Sequence, residues 1–223
     1  MIPSMKRKRC LDSMLILPCS TTKKVAKICS SLPDRMIFPH GMETIHPEET
    51  LHRLMKDQDF EIRYQESLSL PDFFSPHTEE EMHYYDADVI EAIRQQNISK
   101  LREFHQNGRP LKCSNRFGES LLHMACRRGF YDVVLFLIHE AKVPIRIRDD
   151  YGRTVLHDAA WTCEPNFPLL QLILTECPDL LYMRDRRGDT PISYARKSHW
   201  SEWNQFLDQN VSLLIPKTQE KRI

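Results

Sequence analysis

Glycine is scarce, at six in 223 residues, which leaves little material for a glycine-rich phosphate loop. There is no G-x-S-x-G elbow and no H-E-x-x-H pair, the usual marks of a hydrolase nucleophile or a zinc protease. The seven cysteines (10, 19, 29, 113, 126, 163 and 177) are odd in number and include no C-x-x-C pair. That argues against a disulfide framework and a zinc ribbon, and fits a reducing compartment. No apolar run exceeds the six residues Val133–Ile138, too short to span a bilayer as a helix. Met14–Leu17, stopped by Pro18, falls short of the roughly 7–15 residues of a signal-peptide core. The expectation is an intracellular protein, nuclear or cytoplasmic, with no cofactor and no membrane partner.

Net charge is also absent, with 31 basic and 31 acidic residues, but the balance is made of opposed blocks. Residues 1–40 carry +6, residues 41–91 carry −11 and residues 92–223 carry +5. The first block is rich in Ser, Thr and Pro, and residues 1–83 read as mostly disordered. Its clusters Lys6-Arg7-Lys8-Arg9 and Lys23-Lys24 are spaced like a bipartite signal for an import receptor. A solvated basic tail and an organelle transit peptide are the other two readings. Within the acidic block, Pro47-Glu48-Glu49 marks a helix start, and Leu51, Leu54 and Met55 continue at helical spacing, so a short helix is expected near 47–58. Leu70-Pro71-Asp72-Phe73-Phe74-Ser75-Pro76 reads either as a docking motif or as a flap packed on the domain after it.

What the chain does have is an internal repeat. Gly118, Ser120, Leu122, His123 and Ala125 recur 34 residues later as Gly152, Thr154, Leu156, His157 and Ala159. A third copy, Gly188, Thr190, Pro191 and Ala195, comes after 36, with the two extra residues placed at Glu164–Phe167. Ser120, Thr154 and Thr190 suit helix N-caps, Pro191 a first helical position, and the three glycines a turn with positive φ. A degenerate upstream copy places Asp88 at the cap, Asp86 at the turn glycine and Asn97 opposite Gly129. The last copy has Ser193 in place of the histidine, and Asn204, Gln205 and Asp208 give it a polar outer helix, as an end cap facing solvent should have.

The chain resembles ankyrin repeats on these residues, Thr190-Pro191 giving one half of the T-P-L-H-x-A signature and Leu122-His123 and Leu156-His157 the other. The resemblance implies an all-α solenoid of stacked helix-turn-helix units with β-turn fingers, preceded by the disordered region. Units are expected near 84–114, 115–148, 149–185 and 186–210, with a tail over 211–223. It also implies that His123 and His157 are structural, bonded to the turn and the cap hydroxyl, and that fingers and inner helices grip protein partners.

No residue pattern for catalysis stands out. His77 and His83, with Glu79–Glu81 between, are the candidates to chelate a metal, but six apart they fall on different faces of a helix, and Cys126 and Cys163 lack an activating basic cluster with histidine. Enzyme activity is not expected. The fingers 109–119, 142–153 and 178–189 hold ten bases and six acids. Arg116, Arg146, Arg148, Arg153, Arg184, Arg186 and Arg187 are therefore the expected contacts for an acidic or phosphorylated segment of another protein. Two further readings are an acidic linker that folds back over the groove, and nucleic-acid binding through the basic tail. The neutral balance of charge and the lack of a groove-reading motif weigh against the latter.

Overall fold

A computed structural model of the chain describes residues 45–216; Lys6–Arg9 and Lys23-Lys24 lie outside these residues. Helix α1 (Pro47–Asp57), strand β1 (Gln65–Glu66) and the short α2 (Glu79–His83) come before the repeats. Antiparallel helix pairs come next: α3 (Ala87–Arg94) with α4 (Ile98–Gln106), α5 (Leu121–Arg127) with α6 (Tyr131–His139), and α7 (Val155–Ala160) with α8 (Phe167–Glu176). Strand β2 (Met183–Arg184) leads into the last unit. There, two 3-10 turns, Ile192–Tyr194 and Lys197–His199, replace the first helix before α9 (Trp200–Gln209) and α10 (Val211–Leu214). The architecture is an all-α solenoid of stacked helix-turn-helix units.

Each unit starts at a side-chain cap. Ser120 Oγ accepts the His123 amide at 3.2 Å, and Nδ1 of His123 takes the Ser120 amide in return. Thr154 and His157 repeat the same reciprocal pair, and Thr190 with Ser193 keeps it with a hydroxyl in place of the imidazole. Two orphan amides are thereby satisfied at each helix start. In the first unit the cap is Asp86, which accepts the Val89 amide at 3.1 Å; the expectation of Asp88 was displaced by two residues. Gln96, not Asn97, takes the left-handed turn of Gly129, with φ of 52° against 68°, and Asn97 caps α4. The degenerate copy lacks the glycine and histidine that pin the register elsewhere.

Leu122, Leu137, Leu156, Leu169, Leu170 and Ile173 are fully buried in one continuous core. Ala125 and Ala159 sit in it at 0% and 1% exposure, where a larger side chain would hold stacked helices apart. No described helix is long and apolar enough to cross a membrane.

The expected disorder through residue 83 does not extend to residues 45–83. Helix α1 buries Leu51, Leu54 and Met55 against the last unit, giving it the apolar contact that a lone amphipathic helix lacks. Asn204 Nδ2 donates to the Ile45 carbonyl and Arg53 to Asp208 Oδ1, both at 2.9 Å. The polar face of α9 therefore meets α1 and not solvent alone. The tail boundary at 211 also moves. Leu214 is buried and Tyr182 Oη donates to its carbonyl at 2.7 Å, so α10 closes over α8 and α9.

Candidate partner-binding surface

The fingers are built on one further periodic residue per unit. Asn115, Asp149 and Asp185 stand 34 and 36 apart, in step with the other motif positions. Each side chain accepts two amides of its own turn: Phe117 and Glu119, Tyr151 and Arg153, Arg187 and Asp189, at 2.8–3.1 Å. Gly118, Gly152 and Gly188 then turn the chain at φ of 75°, 77° and 84°.

Neighbouring fingers are tied at two levels. At the tips, the Asp150 amide donates to the Phe117 carbonyl and the Arg186 amide to the Tyr151 carbonyl. At the base, Nε2 of His123 donates to the Arg153 carbonyl at 3.1 Å and Nε2 of His157 to the Asp189 carbonyl at 3.2 Å. A carbonyl only accepts, which assigns the proton of each ring to Nε2. Burial holds the His157 imidazole down at about 4. A third tie joins α5 to α7: Arg127 bonds Asp158 Oδ2 at 2.8 Å and also pairs with Glu119. Sequence reading missed that pair, because nothing in the 31-residue separation marks it as a contact.

The seven finger arginines do not form one surface. Arg146 lies over the Phe73 ring at 4.5 Å, Arg148 over Phe74 at 5.8 Å and Arg184 over Tyr64 at 4.5 Å. All three are thus in contact with residues 58–78, a strap that crosses the fingers between α1 and α2. Arg153 is held by Asp149 through two bonds of 2.8 and 2.6 Å. Arg116, Arg186 and Arg187 are exposed.

The strap is fixed to backbone as well as to arginine. β1 pairs in parallel with β2, Ser67 Oγ donates to the Gly152 carbonyl at 2.6 Å, and the Ser75 amide donates to the Arg146 carbonyl at 2.7 Å. Gly152 is open to Ser67 because it has no Cβ; an added one would collide with Ser67 Oγ. Gly152→Ala is therefore expected to cost about 1–2 kcal/mol for the left-handed backbone and to expose the strap. Hydrogen exchange over residues 65–69 checks this: unchanged protection there would show that the Ser67 contact does not seat the strap.

Among the described residues a different face stays uncovered. Phe117, Tyr151 and Trp161 are about half exposed (51%, 50% and 49%), the first two at matching places in successive fingers. Tyr151, Arg153, Trp161, Asp185, Arg187 and Tyr194 line an open hollow there, bordered by no strap residue; the Asp185 carboxylate in it accepts from Tyr194 Oη at 2.6 Å. Arg116 stacks over Phe117 at 4.7 Å and Arg153 over Tyr151 at 5.5 Å. The acidic linker thus lies beside Arg146, Arg148 and Arg184 and leaves this hollow free.

Cysteine chemistry has little support. Burial pushes the Cys113 thiol up to about 12 and the Cys126 thiol well above its ordinary value, so neither supplies a thiolate near neutrality. Among the described residues no three His, Cys, Asp or Glu side chains gather as a metal site would require.

A family model for ankyrin repeats in three copies matches residues 89–176. The chain carries ankyrin repeats. Diacylglycerol kinase zeta of Rattus norvegicus is 29% identical over 141 residues, covering 61% of this chain and 15% of that protein. Diacylglycerol kinase iota of Mus musculus is 28% identical over 168 residues, covering 73% and 16%. SMC5-SMC6 complex localization factor protein 1 of Bos taurus is 31% identical over 98 residues, covering 44% and 9%. The chain thus spans about a sixth or less of the curated relatives it matches, and their names describe two kinases and a localization factor. The ankyrin stretch itself is non-catalytic.

Proposed function

We propose that this chain is a non-enzymatic interaction module that holds an acidic or phosphorylated segment of another protein on the face formed by the ankyrin fingers and first helices. The observation that carries the reading is the hollow of Tyr151, Trp161 and Tyr194 beside Arg153 and Arg187. Half-exposed aromatics next to guanidinium groups are the residues that dominate binding energy in protein interfaces. Arginine also meets carboxylate or phosphate through a planar fork that a lysine lacks. Arg116 and Arg186 extend the same charge along the finger tips, and the unrelated names of the relatives suit a module used in different processes.

Tyr151→Ala/Trp161→Ala tests this, since both side chains are exposed and their loss leaves the repeat core intact. Partners captured from extract by the full chain are identified, and their affinities for wild type and variant compared. A loss of tenfold or more, about 1.4 kcal/mol, is expected. An unchanged affinity would move the binding surface away from this face. Binding to nucleic acid with a steep salt dependence would instead favour the basic N-terminal block as the working element.

A further inference from the structure

The strap behaves as a bound peptide in nearly every particular. It runs against the order of the repeats: Tyr64 to Glu66 lie at β2 and Arg184, Ser67 at Gly152, Ser75 at Arg146, and Glu81 beyond its end at Lys112. It makes main-chain bonds to the fingers and sets an aromatic ring on each of three arginines. Only Ser67 and Phe74 are buried among residues 58–78, and apart from β1 and one 3-10 turn at Ser67–Ser69 the segment lacks regular structure of its own. By contrast, α1 before it buries Leu51, Leu54 and Met55, and α3 after it opens the repeat array. The extended segment, whose Phe60, Ile62, Tyr64, Leu70 and Phe73 pack against the core while staying partly exposed, thus runs between firm anchors at both ends.

We propose that this flank of the fingers is a second peptide track, separate from the open hollow, and that residues 60–78 are its resident occupant. The external ligand it fits is an extended segment of another protein with the strap's own chemistry: aromatic residues to stack on Arg146, Arg148 and Arg184, with carboxylates alongside. Stacking on guanidinium selects the rings, and the finger carbonyls and amides read the backbone regardless of sequence. The strap competes as an intramolecular ligand. With an effective concentration of ~1 mM and a site of ~10 μM affinity, it lowers apparent affinity for an outside peptide by ~100-fold.

The test uses the full chain and a fluorescein-labelled peptide of residues 60–78, read by anisotropy. Phe73→Ala/Phe74→Ala loosens the strap without touching a finger. This variant is expected to bind the peptide about 100-fold more tightly than wild type, and adding Arg146→Glu is expected to abolish the gain. A scrambled peptide of the same composition is expected not to bind. Failure of the loosened variant to bind the peptide, with its melting temperature within a few degrees of wild type, overturns the proposal. Loss of the helical circular-dichroism signal in that variant also overturns it, because the strap would then be part of the fold and not an occupant. Tyr151→Ala/Trp161→Ala is expected to leave peptide binding unchanged, which separates this track from the open face.

Discussion

Arg127→Ala is expected to destabilise the protein by about 3–5 kcal/mol, the cost of stranding a buried charge. The charge is Asp158, whose side chain is 3% exposed and is met by Arg127 alone among the basic groups bonded to it. Arg127 itself is 37% exposed, so water still reaches part of the guanidinium, while its removal leaves the carboxylate dry. Removing both partners should be milder. Arg127→Ala/Asp158→Ala is expected to recover part of the loss, because the unpaired charge goes with its partner. Urea denaturation monitored by circular dichroism measures both. The pair spans the junction between two repeats, where a solenoid's stability is a nearest-neighbour quantity, so the single variant should also broaden the transition. A cost below about 1 kcal/mol would mean that water reaches Asp158 once the guanidinium is gone.

The second large effect depends on pH. In the folded protein His157 titrates at about 4, and the leading cause is burial. Unfolded, it titrates near 6.5. Between those values the unfolded chain binds more protons than the folded one, so stability is full above about pH 6.5 and is lost as pH falls toward 4. The difference amounts to roughly 3 kcal/mol. The local reason is plain: Nδ1 already receives the Thr154 amide, and a proton there would set two donors against each other and break the helix cap. Depressed carboxyls such as Asp185 and Asp86 lose their contribution only below about pH 3.8, a separate window. Unfolding free energies should hold from pH 7.5 to about 6.5 and then fall toward pH 4.5 in wild type, and fall more shallowly in His157→Gln. Equal slopes would show that another group carries the acid sensitivity.

The repeat was legible because each unit makes the same demands on the backbone. A left-handed turn calls for glycine, a helix start for a hydroxyl, and close helices for alanine, so identical residues return at 34 and 36. Asn115, Asp149 and Asp185 were equally periodic, and their role as turn acceptors was within reach of the same comparison. The strap was legible only in part: Leu70–Pro76 reads either as a docking motif or as a flap on the domain after it, and the flap is what forms, but its course over the fingers was not readable. An extended segment has no period, and Phe73 and Phe74 say that a surface is needed without saying which. Helix α1 was readable as a helix from Leu51, Leu54 and Met55, but amphipathicity does not name the partner, and α9 lies some 150 residues away. For the same reason the arginines looked alike in sequence, although stacking by strap rings sets Arg146, Arg148 and Arg184 apart from the exposed Arg116, Arg186 and Arg187.

The contact between α1 and α9 also sets an order of assembly. Arg53 and Asp208 meet across 155 positions of sequence, whereas repeat units touch neighbours some 30 to 40 positions away. During synthesis the early units can stack as soon as they leave the ribosome, but the site that receives α1 is incomplete until α9 has been made. The clasp that closes the far end of the solenoid is therefore among the last contacts available to a growing chain, followed by the seating of α10, and a ribosome stalled before α9 would hold a stacked array without that clasp.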